Sequence, residues 1–445
     1  MTSNEPAELS ITYIPLNALS GQNRQLRRRS KKFIRQLADS IQKFGFLVPV
    51  VVNRDNKIVL GHGRVEAAKL LGLDSVPTVS TSTLTEEQVR ALRIAENKLG
   101  ELSEWDQLTL KEEFTELSDL KLDFDLEITG FTFPEIEGVM NFDTVGKDLK
   151  EDETLPVDRS KSPISKNGDL WLLGQHKILC ADALLAESYE KLLSNAKAQM
   201  VLTDPPYNCR IEGNVSGLGA VKHKDFVMAS GELSDEEFRA FLRRFFQLLV
   251  RFSAQASIHY VFMDYRQMYL LQQAAENVYS ELKQLCVWVK SNGGMGSFYR
   301  QRHELIFVFK NGPGKHINNF ALGQYGRSRT NVWEYAGMNS ISAERSAELA
   351  LHPTCKPVAL LADAMRDCSK RGGIILDPFA GSGTTVVAAE IAGRDAYAIE
   401  LDPHYVDTSI RRWQKFTGEQ AVNADTGRVF DELQSESENV EADHE

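Results

Sequence analysis

Apolar residues recur along this chain at two spacings, and the spacing alternates from segment to segment. Ile34, Leu37, Ile41 and Phe44 share one helical face, which predicts an amphipathic helix over 33–44. Gly45 follows where a left-handed residue would close that helix. The runs 46–52 (FLVPVVV) and 57–63 (KIVLGHG) predict two strands, and Val65 to Leu71 a short helix stopped by Gly72. Beyond residue 165, the segment 171–179 (WLLGQHKIL) predicts a hairpin, and 198–206 (AQMVLTDPP) a buried strand running into a loop. Residues 258–263, 285–290 and 304–310 predict further strands, and 236–252 has the helical period. Residues 372–379, 384–392 and 395–400 read as strand, helix and strand. This alternation predicts an α/β fold with a mainly parallel sheet, preceded by a small α+β domain.

Composition narrows the class. The chain has 445 residues, 42% hydrophobic and 25% charged, as in soluble globular proteins. Its length suggests two or three domains. Uncharged stretches such as Phe252 to Met263 fall short of the ~18 residues a spanning helix needs, so no membrane partner is expected. The first ten residues lack a basic stretch followed by an apolar run, so no secretory leader is expected. Cys180, Cys209, Cys286, Cys355 and Cys368 are too few and too dispersed for a disulfide framework or a metal pair. A reducing cytoplasm and no required metal fit this pattern.

The net charge of -11 is unevenly placed. Residues 1–99 carry a net +6, residues 100–158 a net -14, residues 159–416 a net +5, and residues 417–445 a net -8. An acidic segment therefore joins two mildly basic blocks. The tail, poor in apolar residues, is expected to be disordered. The stretch GKDLKEDETLPVDRSKSP (146–163) reads as a flexible linker.

Two loops carry candidate chemistry. The strand ending at Thr203 opens into Asp204-Pro205-Pro206-Tyr207. The prolines remove two N–H donors and fix two φ angles, which leaves the Pro205 carbonyl free to face a ligand. Asp204 and that carbonyl could accept from one amino group, while Tyr207 stacks on a flat ring. An aromatic amine such as that of adenine or cytosine would suit this set; a plain turn is the alternative. The second loop is Asp377-Pro378-Phe379-Ala380-Gly381-Ser382-Gly383-Thr384, between a strand and a helix. Glu400 ends the next strand, where a carboxylate suits a ribose diol. No Gly-Lys-Ser/Thr follows the glycines, which excludes a triphosphate-cradling loop. A nucleoside cofactor without phosphates fits better.

In that order, DPPY and then FAGSGTT resemble the β class of amino-group DNA methyltransferases. Segments 168–183, 292–312, 331–337, 351–357 (LHPTCKP) and 400–418 also resemble that family, so the likeness spans 165–418. It implies a Rossmann-like methyltransferase sheet in circularly permuted motif order, S-adenosylmethionine as cofactor, and double-stranded DNA as partner. It assigns Asp204, Pro205, Pro206 and Tyr207 to catalysis. It assigns Asp182, Lys356, Asp377, Pro378, Phe379, Gly381, Ser382, Gly383, Thr384, Glu400 and Asp402 to the cofactor. Asp rather than Ser at position 204 points to adenine N6; cytosine N4, RNA, or a DNA-binding regulator with an inactive methylase half are the alternatives. DNA contacts are expected from Arg210, Lys222 and Lys224 after the catalytic loop, and from Lys315, Arg327 and Arg329 where the family places target recognition. Homodimerisation, a cognate endonuclease and phage factors are compatible partners.

Residues 9–99 resemble the ParB/sulfiredoxin-like domain, with 1–99 as the domain. The turn at Gly61, Gly63 and Arg64 opens a helix and suits a nucleotide phosphate. Partition proteins carry Gly-Glu-Arg-Arg here; its absence counts against nucleotide switching and nuclease activity. Arg27, Arg28 and Arg29, within a basic run, suit a DNA backbone. In place of the partition proteins' helix-turn-helix, residues 100–164 read as an acidic helical connector and linker. Residues 419–445 complete the chain as the acidic tail.

Overall fold

The computed structural model describes residues 9–21, 27, 29–99, 102–103, 105–120, 122–140, 157–208, 231–291, 293, 299–320, 322, 329–335 and 356–442. They fall into two compact units, 1–145 and 146–445.

The first unit holds a four-stranded sheet in the order β1 (Thr12–Pro15), β4 (Ser75–Ser80), β2 (Val50–Val52), β3 (Ile58–Leu60). Its core is Val50, Val52, Ile58, Val65, Ala68 and Val76. The expected amphipathic helix is Lys31–Phe44, capped by the Ser30 side chain and closed by Gly45 at φ +86°. The short helix begins earlier than the apolar pattern implied, at His62, because Gly61 adopts φ +93° and starts it. A Cβ on Gly63 would come within 3.1 Å of Phe33 and 3.3 Å of Leu37, so this glycine allows the two helices to approach.

The acidic connector is more ordered than its charge suggests. Helices Gln107–Asp119 and Phe133–Met140 enclose a small core of Phe114, Ile136 and Met140, flanked by Leu110, Leu126 and Phe131. Asp106 caps the first helix by accepting from Leu108 and Thr109 N–H. Phe124 packs edge-on against Phe44 at 5.6 Å. The many acids obscured an amphipathic pattern whose apolar side is buried.

The second unit is built on a ten-stranded sheet, ordered β11-β9-β10-β8-β7-β12-β13-β6-β5-β14. Its strands are β5 (Leu170–Leu173), β6 (His176–Cys180), β7 (Ala198–Thr203), β8 (Ser253–Met263), β9 (Glu281–Val289), β10 (His303–Lys310), β11 (Val332–Glu334), β12 (Ile374–Asp377), β13 (Asp395–Glu400) and β14 (Val422–Asn423). β8, β7, β12, β13 and β6 run parallel, whereas β10 pairs antiparallel with both β8 and β9. Alternate residues feed two separate cores. Met200, Leu202, Tyr260 and Phe262 face one, and Val201, Val261 and Met263 the other. The helix Asp235–Phe252 covers the second face, and a Ser234–Glu237 capping box sets its start.

Two expectations for the chain's acidic ends need correction. The tail from 419 is not disordered throughout: Val422–Asn423 pairs with β5, and a helix spans Phe430–Ala442. Phe430 is fully buried, edge-on to Trp171 at 5.3 Å. The buried aromatic and the strand pairing together dock a segment whose average composition is polar. The linker also ends docked, since Arg159 pairs with Asp402 at 2.6 Å and the Ile164 and Ser165 amides donate to Asp407.

Candidate active site

β7 and β12 are parallel neighbours, yet the chain leaves them in opposite directions across the sheet. From β7 it continues to β8 on one side; from β12 it continues to β13 on the other. Such a switch point opens a crevice beyond the strands' C-terminal ends. Both candidate loops emerge there.

The glycine loop is shaped from beneath by Asp377. Its carboxylate accepts from Thr203 Oγ1 at 2.9 Å, Thr385 Oγ1 at 2.5 Å and Phe379 N–H at 3.2 Å. Burial pushes this carboxyl up to about 6, against the opposing pull of those donors. Asp377 therefore faces inward and holds the loop, rather than offering its carboxylate to a cofactor. The two glycines have different causes. Gly381 sits at φ +52°, and a Cβ there would meet nothing within 4 Å. Gly383 sits at φ +80°, but its Cβ would lie 2.8 Å from Ser409, so helix packing demands it. Ser382 and Thr384 also turn inward, accepting from the buried Arg412. Pro378 is buried, and the Phe379 ring lies 5.0 Å from that of Phe245.

Glu400 closes the other side of the loop. It accepts from Gly381 N–H and Asp402 N–H, each at 2.9 Å. Burial raises its carboxyl to about 7, although both amides favour the ionised form. Asp402 caps the helix Pro403–Thr417, accepting from His404 N–H. Asp182 accepts from Leu184 N–H just after β6. The neighbouring Ala181 amide donates to the Glu400 carbonyl at 3.0 Å, which brings Asp182 to the same end of the sheet. The space beside Gly381 is open to at least 4 Å from where a Cβ would stand, and the Glu400 carboxylate borders it.

The Asp204-Pro205-Pro206-Tyr207 loop lies alongside. Pro205 is buried, while Asp204 keeps 29% of its side-chain surface exposed. Tyr207 donates its hydroxyl to Asp204 Oδ1 at 2.5 Å. The Lys356 ammonium donates to Asp204 Oδ2 and lies 3.1 Å from Glu304 Oε2. Glu304 Oε1 in turn accepts from Lys290 at 2.5 Å. Burial raises the Asp204 carboxyl and Glu304 raises it further, while Lys356 pulls the other way. Glu304 is likewise penalised by burial, but Lys356 and Lys290 outweigh that and hold it below the usual range. Lys356, expected on the cofactor side, thus stands against the Asp204 carboxylate. Glu304 and Lys290 were not singled out in the sequence. The available signal was one carboxylate in an otherwise apolar strand, HELIFVF (303–309).

Three segments of the chain match models of known families. Residues 198–411 match the family model described as DNA methylase, 2–98 the ParB N-terminal domain, and 109–167 the ParB-methyltransferase HTH domain. The chain is a DNA methyltransferase of the N6/N4 amino-methyltransferase family, joined to a ParB-like domain. It is 24% identical over 272 residues to the type II methyltransferase M.HpaI of Haemophilus parainfluenzae, covering 58% of this chain and 80% of that one. The ParB-like nuclease domain-containing protein YnaK of Escherichia coli is 43% identical over 81 residues, 18% of this chain and 93% of YnaK. A solved structure of an M1.HpyAVI–SAM complex aligns at 21% identity with a TM-score of 0.39, covering 53% of this chain and 97% of that one. The match at 109–167 corrects the expectation that a helix-turn-helix is missing after the ParB-like domain. The small core around Phe114 is the packing that the charge run concealed.

The methyltransferase's expected DNA contacts are only partly placed. Arg210, Lys222, Lys224, Arg327 and Arg28 lie outside the described residues. Lys315 is exposed. Arg329 is not a free surface cation: it donates to Asp367 at 3.1 Å and Tyr335 at 3.0 Å, and lies 3.6 Å from Asp363. Those acidic partners raise its pKa further, against the cost of burial. In the ParB-like domain, Arg27 donates to the Asn97 carbonyl at 2.8 Å, and Arg29 lies 3.9 Å from Glu66. Both line a cavity of about 370 Å³ with Gly61, His62, Arg64 and Arg93. Gly61 and Arg64 thus stand in one basic pocket, whereas Gly63 serves helix packing. Among the described residues, no group of His, Cys, Asp and Glu side chains could hold a metal, and no helix is long and apolar enough to cross a membrane.

Proposed function

We propose that this DNA methyltransferase modifies the exocyclic N6 amine of adenine, with S-adenosylmethionine as methyl donor. The observation that carries this reading is the adjacency of the two loops. Asp204 leaves β7 beside the glycine loop that leaves β12, and the Thr203–Asp377 hydrogen bond ties their bases together. The cofactor's nucleoside would rest against Gly381 and Phe379, with the Glu400 carboxylate on the ribose diol. When bound, it supplies an electrophilic methyl group on a positively charged sulfur.

The protein's share is position and charge. Asp204 and the Pro205 carbonyl accept from the amine, which localises the nitrogen lone pair out of ring conjugation. Tyr207 stacks on a base turned out of the duplex. As the nitrogen–carbon bond formed, the carbon–sulfur bond would break to leave a neutral thioether, and the nitrogen's proton would pass to the Asp204 carboxylate or to solvent. Fixed acceptors in a water-poor crevice need no reorganisation during the reaction. An Asp rather than a Ser at position 204 supports adenine over cytosine. The test is incubation with labelled S-adenosylmethionine and duplex DNA, followed by nucleoside analysis. Label in N6-methyladenine is expected; label in N4-methylcytosine would overturn the base assignment, and no label would overturn the donor.

A further inference from the structure

The crevice contains an alternating row of charges of which the reaction scheme above uses only Asp204. Asp204, Lys356, Glu304 and Lys290 follow one another, each in contact with the next. They come from four separate parts of the unit: the loop after β7, the stretch leading into the helix Val358–Cys368, β10, and the residue just after β9. Local sequence preference cannot assemble such a row. The inner two members are the most enclosed, with 7% of the Lys356 side chain and 15% of the Glu304 side chain exposed. Lys356 Nζ also lies 5.2 Å from the Phe262 ring centre and 5.7 Å from that of Tyr207. A lysine in such surroundings is costly unless it is paired on more than one side.

The two oxygens of Asp204 have unequal partners. Oδ2 is held by Lys356, whose other contacts anchor it. Oδ1 is held by the hydroxyl of Tyr207, whose ring is the group that must move to stack on a base. When Tyr207 turns, Oδ1 is released and Oδ2 is not. We infer that Lys356 is a positioning residue: it keeps Asp204 ionised and turned so that Oδ1 is the working acceptor, and Glu304, braced by Lys290, keeps Lys356 in place. This rests on the amine-methylating reading above.

The physical need is plain. A neutral carboxylic acid at position 204 would present a hydroxyl donor to a group that must itself donate. Burial and Glu304 both favour that neutral form; Lys356 opposes them. Among the described residues nearby, Asp377 at the end of β12 is bonded to two threonines, and Asp264, just after β8, is paired with Arg266 at 2.8 Å. Neither supplies a cation to Asp204.

The test measures single-turnover methylation of mixed-sequence duplex DNA from pH 5 to 9, together with S-adenosylmethionine binding and thermal melting. Lys356→Met is expected to lose about 100-fold in rate at neutral pH and to move the acid limb of the profile upward by more than about one pH unit. Cofactor affinity should change less than about threefold, since no cofactor contact is removed. Glu304→Gln keeps the shape and an amide oxygen for Lys356 to donate to, but removes the repelling charge, so it should move the limb downward. The double variant should fall between the two singles, because each removes a term acting on the same carboxylate. An unmoved acid limb in Lys356→Met, or lost cofactor affinity without a limb shift, overturns the inference. Should Lys356→Met fail to fold, Glu304→Gln decides: an unmoved or raised limb refutes it. Absence of methylation by the wild-type protein would instead defeat the reading on which this rests.

Discussion

The Thr203 hydroxyl donates to the Asp377 carboxylate across the seam between β7 and β12, at 2.9 Å. One hydrogen bond between buried side chains therefore links the base of the catalytic loop to the base of the glycine loop. Its loss should be felt on both sides. Thr203→Val is expected to cost about 1–3 kcal/mol of stability, the usual penalty for a buried acceptor left short of a partner. Weaker S-adenosylmethionine binding and slower methylation should accompany it. Denaturant unfolding and cofactor titration check this; a variant equal to wild type in both would show that the loops are positioned independently.

The two raised carboxyls make ligand-free stability depend on pH in a stated direction. Folding lifts Asp377 to about 6 and Glu400 to about 7, both above ordinary carboxyl values. The folded state thus holds protons more tightly than the unfolded chain. Their contribution is fully present below the unfolded pKa, near pH 4, and is lost as pH rises through about 6 and 7. The loss is on the order of 2–3 kcal/mol per group. Melting temperatures from pH 5 to 8 should fall more steeply for wild type than for Glu400→Gln. Parallel profiles would contradict this.

Tyr207 separates stacking from hydrogen bonding. Tyr207→Phe keeps the ring and removes the hydroxyl on Asp204, so methylation should persist within about tenfold. Tyr207→Ala also removes the ring, and should weaken productive DNA binding by a further 1–3 kcal/mol or so, the scale of one base–aromatic stack. Rates and DNA half-saturation for the two variants check this; equal losses would place the function in the hydroxyl alone.

Arg329 and Lys315 should behave in opposite ways. Arg329→Met takes its cation from the buried Asp367, while Asp363 keeps Arg366, and should destabilise the fold by about 3–5 kcal/mol. Lys315→Ala should leave melting unchanged, and should lower DNA affinity and its salt dependence. Melting curves and salt-dependent DNA titrations distinguish them. A Lys315 variant with unaltered DNA affinity would remove that residue from the interface.

The acidic tail has a structural share that its charge conceals. Phe430→Ala should cost about 3–5 kcal/mol, the range for emptying a buried aromatic site. Removing 417–445 to relieve repulsion of DNA should therefore also expose Trp171 and β5 and lower stability. A truncated protein that melts like wild type would refute the docking.

Local pattern was enough for many of the elements before residue 419, the strand–loop–helix–strand unit ending at Glu400, and both chemical loops. Those signals are short in range: a period of two or of about 3.6, a glycine after a strand, two prolines that remove donors. The β7 and β12 loops were legible as separate motifs for the same reason. Tertiary packing settled what each side chain faces. Asp377 turns inward because Thr203 and Thr385 lie beneath it, and Arg329 is bound by acids from the helix Val358–Cys368. Lys356 meets Asp204 and Glu304 only because residues 152 and 52 positions away share one end of the sheet. No spacing along the chain encodes that meeting, since sheet order and strand register bring those charges together.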